Sequence, residues 1–182
     1  VNSFDIVEQY FLAGCDKILL NSCFYQNPKL IKKISTSYGA QSIVASIDLK
    51  KDNSKYAVYI NNGEKKLNIN PKDYIKKILK MDIGEVLLRS IDKDGSGTGL
   101  DYDLIDLMPK NQSKNLILTG GCGNIKHIEE GLLKKKVDAV STGNLFNFIN
   151  EELKNTRDSL IKKKFILPEW DYKQIRKFKN IF

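Results

Sequence analysis

The sequence predicts an α/β fold of parallel βα units, of the (βα)8 barrel type, on three observations. Five short apolar runs alternate with segments of helical spacing, at intervals of roughly 23 to 43 residues. One of them, Glu85-Val86-Leu87-Leu88-Arg89, runs into a loop holding Asp92, Asp94 and three glycines, which puts flexible backbone and carboxylates at the carboxyl end of a strand. Two more glycine-rich loops, residues 120–123 and Thr142-Gly143-Asn144, follow the last two runs.

Each element has a local reason. Residues 5–13 show helical spacing closed by Gly14, and residues 17–21 read as a short buried strand. Asn27 offers a cap and Pro28 a first-turn proline to a helix lasting to about Tyr38, which Gly39 ends. Residues 42–48 form the next strand. Between 49 and 70, the alternation of residues 56–60 and the turn Asn61-Asn62-Gly63 suggest a β-ribbon over that strand's end. Pro71 opens a helix ending near Met81. Residues 102–108 look helical, and residues 116–119 form a strand. Asn124 can cap a helix carrying His127 and ending in the lysines 134–136, which suit the negative end of its dipole. Residues 139–141 make the fifth strand, residues 143–148 a short extra helix and residues 151–164 a longer one, before a C-terminal tail over 165–182 with Pro168 and Trp170.

Composition sets the outer bounds. With 182 residues, 41% of them hydrophobic, the chain can bury one sizeable core and reads as a single domain over 1–182. It has no apolar run long enough to span a membrane. The net charge of +8 comes from scattered lysine pairs and triplets with little aromatic interleaving, so no nucleic-acid partner is expected. Cys15, Cys23 and Cys122 lack metal-ligand spacing and His127 is the single histidine, which leaves no expected metal site and suits a reducing, cytoplasmic setting. Asp92, Asp94 and Ser96 alternate as in a calcium loop, but no helix precedes them and Asp103 stands where such loops carry Glu.

A parallel sheet of this kind is either open and doubly wound or part of a barrel. The glycine loops after the last two strands, with the short helix after Gly143, are the parts of a barrel phosphate site, held by backbone N–H groups and a helix N-terminus. The plain alternative is that these glycines only end strands.

The residues that carry a family likeness run along nearly the whole chain: 14–21 (GCDKILLN), Asn27-Pro28, 41–48 (QSIVASID), 84–99 with Asp103, Gly120-Gly121 with Gly123, and 145–148 (LFNF). In their order and spacing the chain resembles the cyclase subunit of imidazole glycerol phosphate synthase. The resemblance implies that only about strands four to eight of a (βα)8 barrel are present and that the first three βα units are lacking. A chain beginning at Val1 would then be a piece of a longer polypeptide, or one completed by another chain.

The resemblance also implies roles. In the family, ammonia from a glutaminase subunit crosses the barrel and attacks a phosphorylated ribulosyl imine, with two aspartates as acid and base. Asp48 matches one of them; independently, it shares strand parity with Val44 and Ser46, which aims it at the barrel mouth. A structural Asp48 paired near Lys50 is the alternative. The partner aspartate belongs to the first strand, so activity of this chain alone is not expected. Asn21, Ser22, Asp94, Gly95 and Ser96 match substrate-holding positions, and Gly121, Cys122, Gly143 and Asn144 match a phosphate cradle. Lys17 and Glu85 match members of a charged ammonia gate, Asp16 an interface residue beside it, and no cofactor is implied.

Two departures bear on the substrate. Arg89 stands where the histidine-pathway enzymes carry a small polar residue; there it would bind an anion, or neutralise Asp48 and lower its pKa. Residues 141–148 and 167–170 look more like the paralogues that, with a glutaminase-like subunit, turn an acetamido sugar into an acetamidino sugar for surface glycans. The reading taken is an ammonia-using barrel subunit of this synthase family, on the glycan branch; the alternatives are a histidine-pathway cyclase and a non-catalytic barrel scaffold.

Overall fold

The computed structural model describes residues 1, 3–143, 145 and 152–168. The chain divides into two compact units, Val1–Leu145 and Phe146–Phe182. In the first, α1 (Phe4–Leu12) leads to β1 (Ile18–Leu20), then a single turn α2 (Cys23–Gln26) and α3 (Pro28–Tyr38). The long β2 (Ile43–Asp52), the ribbon strands β3 (Lys55–Ile60) and β4 (Lys65–Lys66), and α4 (Pro71–Leu79) follow. β5 (Glu85–Ser90), a 3-10 segment at Tyr102–Leu107, β6 (Asn115–Thr119), α5 (Ile125–Leu132) and β7 (Ala139–Ser141) complete the unit. The second unit contributes α6 (Glu152–Lys162), where a helix over 151–164 is expected.

β1, β2, β5, β6 and β7 pair in parallel, each beside the next in chain order. That order contains no reversal, which a doubly wound sheet requires at its switch point, and it is the order of consecutive barrel strands. The covering helices also pack on one face. Ile43, Ala45, Ile47 and Leu49 of β2, Val86 and Leu88 of β5, and Leu116 and Leu118 of β6 form one buried cluster with Ile31 and Ile34 of α3 and Ile75 and Ile78 of α4. Burying each such side chain contributes about 1.5–3 kcal/mol. The fold is therefore an α/β arrangement of parallel βα units consistent with part of a (βα)8 barrel.

The helix ends follow chemistry with two exceptions. Asn70 accepts from the amides of Lys72 at 2.9 Å and Asp73 at 3.4 Å, and Asn124 accepts from His127 N at 3.0 Å. Asn27, expected as a cap, makes no side-chain capping bond; Pro28 opens α3 by its fixed φ, and α2 has already used the preceding residues. The lysines 134–136 lie past the end of α5, which stops at Leu132. Residues 102–108 are a 3-10 segment, not an α-helix, and the extra helix expected at 143–148 lies mostly outside the described residues.

The ribbon is present and longer than the sequence suggested. β2 runs four residues beyond Asp48 and reverses through Asn53 and Ser54, at φ 47° and 67°, the two left-handed residues of a tight hairpin. Alternation in β2 is lost near this turn because Lys50 and Lys51 face solvent, which hides the strand's end from a hydropathy reading.

Gly121, at φ +95°, shows how tightly the β5 and β6 loops meet: a Cβ there would stand 2.3 Å from the Gly99 carbonyl oxygen. Gly99 N in turn donates to Gly121 O at 2.7 Å. Gly95 has a similar φ, +77°, but open space around it. Gly121→Ala is therefore expected to cost about 2–4 kcal/mol in urea unfolding, and Gly95→Ala only the left-handed penalty of about 1–2 kcal/mol. Equal losses would show that the loop contact does not matter.

Candidate functional site

Strand parity fixes what the second sheet face presents. Register places Val44 beside Leu19 and Glu85, Ser46 beside Leu87, and Asp48 beside Arg89. The next strands continue the rows, with Asn115 beside Glu85, Ile117 beside Leu87, Thr119 beside Arg89, and Ser141 beside Thr119. Side chains thus lie in layers across the strands, as inside a barrel. The row nearest the carboxyl ends is Asp48, Arg89, Thr119 and Ser141, polar throughout. The ribbon adds Tyr59 beside Asp48 on the side away from Arg89.

Asp48 is 6% exposed, and it accepts a hydrogen bond from Ser46 Oγ at 2.9 Å. Burial pushes its carboxyl above the ordinary range. The Ser46 bond and the Arg89 charge pull the other way, and the nearby Asp94 charge adds to the rise. Arg89 does lower the pKa of Asp48, one of the two roles expected of it, but desolvation outweighs the cation and the net shift is upward; among the described residues the two make no ion pair. Lys50 is exposed and not in an ion pair with Asp48 either.

At the amino ends of the same face, Lys17 Nζ meets Glu85 Oε1 at 2.6 Å across the start of β2, with side-chain exposures of 46% and 18%. Exposure on that scale limits the pair to about 1 kcal/mol or less. Asp16 beside it is exposed.

The remaining candidates occupy the loops. Asn21 Nδ2 donates to Ser46 O at 3.1 Å, and Ser22 Oγ donates to Asn21 Oδ1 at 3.2 Å while accepting from Asn61 N at 2.9 Å. These two residues therefore tie the end of β1 to β2 and to the ribbon turn. After β5, Asp94 N donates to Ser90 O at 3.0 Å, and Ser96 Oγ is engaged with Lys93 O at 2.7 Å and Thr98 Oγ1 at 2.8 Å. Asp94 and Ser96 are exposed, and no group of three metal-ligating side chains occurs among the described residues. In the β6 loop Gly121 is buried, Cys122 is half-buried with its thiol pushed up by burial, and Gly143 is exposed. Thr142 Oγ1 donates to Cys122 O at 3.4 Å, joining the two glycine loops. Asn144 lies outside the described residues.

Several contributors escaped the sequence reading. Asp101, 7% exposed, accepts from Tyr56 Oη at 2.8 Å and Ser90 Oγ at 3.3 Å, clamping the ribbon to β5. Burial, with that bond, raises the Tyr56 hydroxyl to about 12. Lys51 strengthens the clamp through Asp103 at 3.1 Å and, by its amide, Asp92 at 2.7 Å. In the β6 loop, Gly123 N donates to His127 Nδ1 at 3.1 Å, so one glycine amide already has a partner. The contacts of Asp101, Lys51 and Asp103 have no sequence signal, because each joins residues far apart in the chain; the parity of Tyr56 within its alternating run is the one hint.

The raised carboxyl has a consequence for stability. A group whose folded pKa lies above its unfolded value binds its proton more tightly when folded, so stability falls as pH rises from 3.8 through the folded pKa. Asp48→Asn keeps an acceptor for Ser46 and removes the buried charge. We expect it to raise Tm at pH 7 and to lose that advantage below the unfolded pKa. A lower Tm at pH 7 would show that the ionised carboxylate stabilises the fold.

The sequence is also similar to known proteins. A family model described as "Histidine biosynthesis protein" matches residues 1–151. A provisionally named imidazole glycerol phosphate synthase subunit hisF2 from Parasynechococcus marenigrum (strain WH8102) is 40% identical over 87% of this chain and 59% of its own length. The HisF subunit of the same synthase from Leptospira biflexa is 34% identical over 88% of this chain and 64% of its own. That from Clostridium botulinum (strain 657 / Type Ba4) is 37% identical over 84% and 61%. The chain thus spans about three-fifths of the length of the curated relatives it matches. With its family model covering most of its residues and its parallel strands in barrel order, the chain belongs to the histidine biosynthesis protein family.

Proposed function

We propose that the chain is the barrel part of an ammonia-using synthase of the imidazole glycerol phosphate synthase kind, supplied by a glutaminase subunit and acting on a phosphorylated, sugar-derived substrate. One observation carries this reading: Asp48, buried with a raised pKa, faces the carboxyl-end layer of the same sheet face whose amino end holds the Lys17–Glu85 pair. Ammonia entering past the pair would meet the substrate at the layer of Asp48. Protonated, Asp48 can donate to a departing or ring atom; ionised, it can take a proton from the attacking nitrogen. Gly121 and Gly143 support the phosphate reading by lying in adjoining loops at that end, although the Gly123 amide is turned to His127.

The relatives' names favour the ribulosyl precursor of the histidine pathway as substrate. Support for an acetamido sugar comes from Arg89, an unpaired cation in the catalytic layer, together with the sequence of 141–148 and 167–170. The resemblance puts the second aspartate on the first barrel strand, so the proposal is for the whole protein, not this stretch alone.

The test uses the full-length protein and its glutaminase subunit. With ammonium and the ribulosyl precursor, Asp48→Asn should lower turnover about 10²–10⁴-fold while keeping the fold. Lys17→Met should impair glutamine-driven turnover more than ammonium-driven turnover. Wild-type inactivity on this precursor turns the assay to acetamido sugars, and undiminished turnover by Asp48→Asn would remove Asp48 from the chemistry.

A further inference from the structure

Arg89 is the charged residue of the reaction face that the proposed chemistry does not use. Its guanidinium carries five N–H donors and is half-buried at the carboxyl end of β5. Among the described residues it has no hydrogen bond and no ion pair. Its register neighbours are Asp48 and Thr119, and neither takes it as a partner: Asp48 Oδ1 accepts from Ser46, and Thr119 Oγ1 donates to Ser141 O at 3.1 Å. A purely structural arginine one strand away from a buried carboxylate would close onto it as an ion pair, whereas Arg89 acts on Asp48 only through space. Here the two charges stand side by side, roughly 4.8 Å apart at the backbone, and stay unpaired.

What completes such an arrangement is an acceptor from outside the chain. A cation is excluded by charge, and a neutral hydroxyl would engage only one of the five donors. Two oxygens of one anionic group match the fork of a guanidinium. We propose that Arg89 is a specificity-determining residue that receives an anionic group of the substrate, carboxylate or phosphate, directly beside the centre on which Asp48 acts. The inference rests on the reading of this face as the reaction surface. The site differs from the glycine cradle: the loops at Gly121 and Gly143 follow β6 and β7, one and two strands beyond β5, so the two anion positions lie about 5–10 Å apart. A substrate that fits both would carry one anionic group at its reacting end and another further along.

The test reads Arg89 directly. The full-length protein is titrated with inorganic phosphate and, separately, with acetate, following the Arg89 Nε–Hε signal by proton–nitrogen NMR and identifying it by its loss in Arg89→Lys. The expected result is a saturable shift of that signal, with affinity for the same anion about tenfold weaker in Arg89→Lys, which keeps the charge and loses the fork. A shift with phosphate alone assigns a phosphoryl group, and a shift with acetate also assigns a carboxylate. An Arg89 signal unmoved by either anion overturns the proposal, whether or not the variant folds. If the Gly121 amide shifts in that same titration, the cradle survives and only the role of Arg89 falls; if neither moves, both fall.

Discussion

The constraint on which the rest depends is the period-two alternation of β2, β5 and β6, held in register by parallel pairing. It sends Ile43, Ala45, Ile47, Val86, Leu88, Leu116 and Leu118 to the helix side and leaves Ser46, Asp48, Glu85, Arg89 and Thr119 on the other. The same backbone ladder therefore builds the core and the polar face opposite it. A slip of one residue would bury Arg89 among isoleucines and expose the core, so the hydrophobic side fixes the position of every polar group opposite. The polar face is ordered because the core is.

Two unlike electrostatic environments sit on that face. Near the amino ends, Lys17 and Glu85 are paired and partly wet, at little net cost. Near the carboxyl ends Asp48 is dry, and burial shifts it toward the neutral form even with a guanidinium beside it. The ribbon contributes to that dryness: Tyr59 flanks Asp48, and the ribbon is anchored by Tyr56 and Lys51 to Asp101 and Asp103 at the far end of the β5 loop. One loop is thus joined to the ribbon on one side and to the β6 glycines on the other, which orders the wall around the carboxylate.

Most of the fold was legible because alternation, caps and glycine stops are local signals. Pro71, Asn124 and residues 139–141 mark their elements directly, and parity alone put Asp48 on the face of Val44 and Ser46. The end of β2 was hidden because lysines interrupt its pattern, and Asn27 misled because its capping chemistry was present without the geometry. In the site, the residue types were readable and the balance among them was not. Whether burial or Arg89 governs Asp48 depends on how much water the sheet and ribbon exclude, a sum over residues distant in sequence. Asp101 illustrates the same limit, since its partners Tyr56 and Ser90 come from two other strands.

Burial on the sheet face outweighs the neighbouring cation in shifting the Asp48 carboxyl. A carbon-13 NMR titration of the Asp48 carboxyl measures this without substrate. With burial dominant, the midpoint is expected above the ordinary 3.8. A midpoint at or below that value would mean that Arg89 or water controls the carboxylate, and would contradict the proton-carrying role proposed for Asp48.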